Sequence, residues 1–210
     1  MSCDEVAPRA PPQSLCENPT MQSDYPFPPH IKACRVMYFV DGENLAIRYG
    51  ALRPPTGPLP HVVYSANTFV WSTLLNMERH TTCDVVRRHY YTSVQGDDPA
   101  RDAIHRQLRD LGIEAPRVFP RTKSRGSKRV DISLAVDMLS HAHRGNYDLA
   151  VLVAGDEDYV PLVEAVAAEG RRVALWFFEK GLSPAIERVA DHVFDIGEGV
   201  LFRENAERYF

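Results

Sequence analysis

Three aspartates stand where a carboxylate can do chemistry. Asp41 directly follows the apolar run 36–40, within Asp41-Gly42-Glu43-Asn44. Asp156 follows the apolar run 149–153, within Ala154-Gly155-Asp156-Glu157-Asp158. Asp131 comes just after a segment carrying five cations: Arg121, Lys123, Arg125, Lys128 and Arg129. Two carboxylates about 4 Å apart repel by roughly 4 kcal/mol at an effective dielectric near 20, so converging acids either take up a proton or bind a cation. Hard oxygen donors with room for water suit Mg²⁺ or Mn²⁺, and cations beside them suit phosphate. Zinc would prefer histidine and cysteine, and the eight histidines show no HExxH spacing. The sequence has no P-loop, no GxGxxG turn after a strand and no GxSxG elbow, so the nucleotide-fuelled, dinucleotide and serine-hydrolase readings lose their main support.

Each residue also has a plainer role open to it. An Asp after a strand commonly makes a turn or caps the next helix. Asn44 fits either a cap for a helix over 45–49 or a place in the site. With Asp158 as a helix cap, Pro161 falls in the first turn, where no intrahelical donor is required. That leaves Asp156 free in the loop as the better ligand, and Asp158 as a cap, a water-mediated ligand, or both. Asp137 is six residues beyond Asp131, about 9 Å along a helix and roughly 120° around it, so it is secondary. The basic run reads either as a solvated loop or as a phosphate contact.

The surrounding pattern alternates strands with helices. Strands are expected over 35–40, 84–91, 113–119, 149–153, 172–178 and 193–196, and helices over 62–78, 98–111, 130–143, 159–168 and 184–190. The β-branched content of 62–78 weakens that helix. Asp98-Pro99 resembles a helix start. The alternation points to an α/β fold with a parallel sheet covered on both faces. In such sheets ligands sit beyond the carboxyl ends of the strands, so Asp41 and Asp156 would share a crevice if their strands are parallel neighbours. Trp71 and Trp176 read as core, and Tyr90 and Tyr91 as one inward and one outward residue of a strand.

The chain has 210 residues, a net charge of −4 and 44% hydrophobic residues, which excludes a wholly disordered, collagen-like or coiled-coil molecule. Mild acidity excludes a generally basic nucleic-acid coat but not a local basic patch. The first 33 residues hold seven of the sixteen prolines and few aliphatic residues. They read as a flexible tail, with a docking role open to 25–29. They lack the basic start and apolar core of a signal peptide, and no apolar run approaches the ~20 residues of a membrane span. Cys3, Cys16, Cys34 and Cys83 form no CxxC pair. A zinc site or disulfide framework is therefore not expected, and a reducing cytoplasm is the simplest setting.

Phe39-Val40-Asp41-Gly42-Glu43-Asn44-Leu45, then Lys128-Arg129-Val130-Asp131, then Ala154-Gly155-Asp156-Glu157-Asp158-Tyr159-Val160-Pro161-Leu162, in that order, resemble the NYN-domain family of PIN-like nucleases. The likeness covers about 35–197. It divides the chain into a tail (1–33), a nuclease domain (34–197) and a C-terminal extension (198–210). The resemblance implies a three-layer α/β/α, PIN-like fold with a central, mainly parallel sheet. It also implies a ribonuclease using Mg²⁺ or Mn²⁺. By position, Asp41, Asp131 and Asp156 match the family's metal-binding acids, and Asn44 and Asp158 match further catalytic positions. Asp137 falls where family members often carry an acid. Ala154 departs from the family's serine. Lys123, Arg125, Lys128 and Arg129 would offset phosphate charge on RNA. The rival readings are an RNA-binding module of the same fold, catalytically weak and acting through a partner, and a metal-dependent phosphatase. The phosphatase pattern expects Asp at Glu43. Residues 201–210 read as a packing helix or a homodimer contact, and the tail as a site for a protein partner.

Overall fold

The central strand forms because Val36–Val40 offers an unbroken apolar run that a sheet covered on both faces can bury. Residues 36–40 are at most 3% exposed. The structure is a computed structural model and describes residues 34–72, 75, 83–121 and 128–201, with the side chains of 198 and 199 excepted. The proline-rich tail, Lys123, Arg125 and the stretch 202–210 lie outside the described residues.

Strand β1 (Cys34–Asp41) runs into helix α1 (Gly42–Leu52), followed by the hairpin β2 (Val62–Ser65) and β3 (Phe69–Ser72). Then come β4 (Cys83–Val94), α2 (Asp98–Asp110), β5 (Ala115–Pro120), α3 (Lys128–His143) and β6 (Leu149–Val153). A short 3-10 turn (Glu157–Tyr159) leads into α4 (Val160–Ala168), β7 (Arg172–Phe177), α5 (Pro184–Glu187), β8 (His192–Asp195) and α6 (Gly197–Leu201). Six strands form one sheet in the order β5-β4-β1-β6-β7-β8, and every neighbouring pair is parallel. The α/β/α expectation holds.

Alternation along β1 divides the core into two layers. Val36, Tyr38 and Val40 face one layer with α1, the hairpin and Leu108 of α2, whereas Met37 and Phe39 face the other with α3 and α4. Tyr90 and Tyr91 are both fully buried, one in each layer. The expectation that one would face outward fails because neither face of this sheet is open. Trp71 and Trp176 are core.

The helix expected over 62–78 is a correction: this stretch begins with the antiparallel hairpin. Val62, Val63, Val70 and Thr68 favour a pleated surface, and Asn67 supplies the left-handed residue of the turn (φ 53°). Tyr90 locks the hairpin to β4. Its hydroxyl donates to the Val70 carbonyl at 2.9 Å and accepts from the Val70 N–H at 3.1 Å. Helix α2 is capped by Asp97, one residue before the expected cap, with Pro99 in its first turn. No helix among the described residues is long and apolar enough to cross a membrane.

The chain leaves β1 toward β4 and β5 on one side and returns to β6, β7 and β8 on the other. The order therefore reverses between β1 and β6, which makes their carboxyl ends a topological switch point.

Candidate active site

Strands β1 and β6 are parallel neighbours with Val40 opposite Val153, so Asp41 and the loop after β6 emerge side by side. Two glycines allow the loops to pack this closely. A Cβ on Gly42 would lie 2.0 Å from the Tyr90 ring, and one on Gly155 would lie 2.3 Å from the Phe177 ring and 2.8 Å from the Gly181 carbonyl. Asn44 joins the loops, its side-chain oxygen accepting from the Gly155 N–H at 3.3 Å. It is therefore not the cap of α1. Asp41 is, accepting from the Asn44 N–H at 3.0 Å.

Asp41 is 4% exposed. Burial pushes its carboxyl up to about 7; hydrogen bonds from Asn44 and Tyr159 oppose this, and the charges of Asp131 and Glu43 reinforce it. Tyr159, buried at the end of the 3-10 turn, donates to Asp41 at 2.9 Å and stands 3.4 Å from an oxygen of Asp131. One phenol thus bridges an acid from β1 and an acid from the first turn of α3. Asp131 is half-buried and also raised, first by burial and then by the charges of Glu43, Asp156 and Asp158. Asp156 and Asp158 are exposed on the open side. The expected capping roles are exchanged: Asp156 caps the 3-10 turn by accepting from the Asp158 N–H at 3.2 Å, and Tyr159 stands at the cap position of α4 without a side-chain capping bond. The 3-10 turn moves the start of α4 one residue on, so Asp158 has no free helix end to cap.

Glu43 is a further acid of this cluster. It accepts from Ser93 at 2.9 Å and pairs with Arg121 at 3.0 Å. Arg121 also donates to Ser93 and to the Asn67 carbonyl at the hairpin tip. Arg121 therefore ties β5, β4, the hairpin and the Asp41 loop together and is not a solvated member of the basic run. Lys128 and Arg129 are exposed at the start of α3, with Arg129 over the Phe119 ring. Asp137 accepts from Tyr91 at 2.8 Å and pairs with Arg117 at 3.0 Å, so it is engaged away from Asp41. Ala154 is fully buried in the α3–α4 layer, where its methyl packs.

Tyr159, Glu43, Ser93 and Arg121 were not singled out as site residues from the sequence. Tyr159 had a local signal, since it directly follows Gly155-Asp156-Glu157-Asp158. The others depend on contacts between residues far apart in the chain.

The donor set fits a hard divalent cation in its chemistry: carboxylate oxygens of Asp41, Asp131, Asp156 and Asp158, with the Asp41 carboxyl raised mainly by burial and further by the charges of Asp131 and Glu43. Among the described residues no lysine or arginine pairs with Asp41, Asp131, Asp156 or Asp158, whereas Glu43, Asp137, Asp148 and Glu114 all have cationic partners. No group of three acids, histidines or cysteines among the described residues is already arranged to hold an ion.

Residues 35–197 match the NYN domain, nearly the whole span from β1 to the start of α6. The chain belongs to the NYN domain family. This is a PIN-like, nuclease-type family, which places the chain coarsely among hydrolases. The uncharacterized protein MJ0482 of Methanocaldococcus jannaschii is 34% identical over 80 residues, 38% of this chain and 33% of that relative. The match thus spans about a third of the relative's length. A protein of unknown function from Vibrio parahaemolyticus, VPA0982, has a similar fold. Its TM-score is 0.61 at 20% identity, covering 87% of this NYN protein and all of the other chain.

Proposed function

We propose that this NYN protein is a divalent-metal-dependent ribonuclease that hydrolyses RNA phosphodiester bonds. The carrying observation is the acid cluster at the switch point: Asp41 buried, Asp131 bridged to it by Tyr159, and Asp156 and Asp158 at the open side, with no cationic partner to these four among the described residues. Asp41, Asp131 and Asp156 would hold Mg²⁺ or Mn²⁺. Such an ion polarises a phosphoryl oxygen and lowers the pKa of attacking water.

The chain's own residues supply the rest. Asp131 orients the water from the first turn of α3. Asn44 has committed its oxygen to Gly155 and keeps its amide hydrogens for a phosphate or carboxylate oxygen. Tyr159 holds the two inner acids at a fixed separation. Lys128 and Arg129, with Lys123 and Arg125 of the preceding segment, offset phosphate charge. Ala154 is fully buried in the core layer under α3 and α4, so the family's serine hydroxyl is not needed at the open side of the site.

The second reading is an RNA-binding module of low activity, favoured by the lack of a ready-made three-acid group among the described residues. Labelled RNA incubated with Mn²⁺ or Mg²⁺ separates the two. The ribonuclease reading expects cleavage by wild type that falls at least a hundredfold in Asp156→Asn. Equal cleavage by both proteins would remove Asp156 from the mechanism. Salt-sensitive RNA binding with no turnover under either ion would establish the binding module.

A further inference from the structure

The amino edge of the sheet carries a feature that the nuclease reading does not use. Cys34 and Cys83 are 49 positions apart in sequence and belong to no motif, yet they are direct partners in the β1–β4 ladder. Both pack at the margin of the same core layer, so their side chains lie on one face of the sheet. Both are half-buried free thiols, and Cys83 is near enough to push up the Cys34 thiol. Neighbouring strands lie about 4.8 Å apart, within the ~4.4–6.8 Å Cα separation that a disulfide spans. Sequence reading gave no support for a disulfide because the pairing exists only once β1 and β4 lie side by side.

We propose that Cys34 and Cys83 are a redox modification site that a peroxide converts to a reversible cross-strand disulfide. One thiolate attacks a peroxide oxygen, breaking the O–O bond to give a sulfenic acid and, after protonation, water. The second thiolate then attacks that sulfur, forming the S–S bond and expelling the sulfenic oxygen as a second water. Two thiols lose two electrons in all, and the peroxide gains them. A dithiol reductant reverses the change.

Burial and the neighbouring Cys83 push the Cys34 thiol up, and the Asp148 carboxylate adds to this while Arg172 opposes it. The reaction therefore runs faster at mildly alkaline pH. The bond joins the amino ends of β1 and β4, whereas Asp41 lies at the carboxyl end of β1. The link consequently acts on stability and leaves the acids in place. It closes the long loop from Cys34 to Cys83, which restricts the unfolded chain.

The test uses the full chain carrying Cys3→Ser and Cys16→Ser, treated with hydrogen peroxide at pH 8.5 and mapped by mass spectrometry without reduction. The expected result is a linked Cys34–Cys83 peptide lighter by two hydrogens. Both thiols should disappear together and return with dithiothreitol, and the melting midpoint of the oxidised form should rise by about 5 °C. A further Cys83→Ser substitution should leave Cys34 trappable as a sulfenic acid with no linked peptide. The wild-type pair gives the answer even if that variant does not fold. Sulfinic or sulfonic acids without a link would overturn the proposal. So would thiols that stay reduced under peroxide, or an oxidised form that melts no higher than the reduced one.

Discussion

Replacing Asp41 by asparagine should stabilise the metal-free protein at pH 8 and not at pH 4. The Asp41 carboxyl is raised from its ordinary 3.8 to about 7, mainly by burial. Between those values the folded state binds a proton that the unfolded state has released. Stability therefore falls as pH rises through that window, and the full penalty is present above pH 7. At about 1.4 kcal/mol per pH unit, the penalty is a little over 4 kcal/mol. The amide keeps the shape and one acceptor but weakens one of the two hydrogen bonds from Asn44 and Tyr159, a loss of about 1 kcal/mol. The net gain at pH 8 is then about 3 kcal/mol, or roughly 6–12 °C in melting midpoint for a chain of this size. At pH 4 only the ~1 kcal/mol loss remains.

Urea unfolding in EDTA at the two pH values measures both numbers. Saturating Mn²⁺ should reverse the order at pH 8. Wild type would gain about 4.1 kcal/mol at a thousandfold excess over its dissociation constant, more than the ~3 kcal/mol lead of the variant, which lacks that carboxylate and would gain far less. The same destabilisation at both pH values, with no effect of EDTA, would refute the reasoning.

Tyr159→Phe removes the hydroxyl that favours the ionised form of Asp41. The acidic limb of the pH–rate profile for RNA cleavage should move upward by about one unit, with the fold intact. Gly155→Ala forces a Cβ against the Phe177 ring and the Gly181 carbonyl; a loss of about 1–3 kcal/mol in denaturant unfolding is expected. Lys128→Ala should weaken RNA binding across sequences. It should also reduce the slope of log affinity against log salt by about one in filter-binding or anisotropy titrations, since an exposed cation acts through counterion release.

The parts of the fold that were legible in the sequence are those written locally. The continuous apolar runs of β1 and β6, each ending in a turn that carries an acid, announced a buried parallel sheet and the edge where chemistry would sit. Asp41, Asp131, Asn44 and the Asp156 loop are placed there by elements that the pattern already indicated. What stayed hidden depends on the tertiary fold. Tyr159 joins Asp41 and Asp131 only after β6 returns beside β1 and α3 lies over them. Arg121 looked like one member of a basic run until its guanidinium met Glu43 and the Asn67 carbonyl. The hairpin escaped because the length of the 62–78 stretch suggested a helix, while its β-branched residues and the turn at Asn67 favoured strands. The exchange of caps between Asp158 and Asp156 came from a single 3-10 turn, a shift too small for residue spacing to reveal.

The most direct test of the central claim is a crystal soaked in Mn²⁺ at pH 8 with data collected at the manganese edge. An anomalous peak is expected about 2.0–2.3 Å from carboxylate oxygens of Asp41 and Asp131, with Asp156 bound directly or through water. Manganese bound elsewhere, with Tyr159 still bridging Asp41 and Asp131, would contradict it.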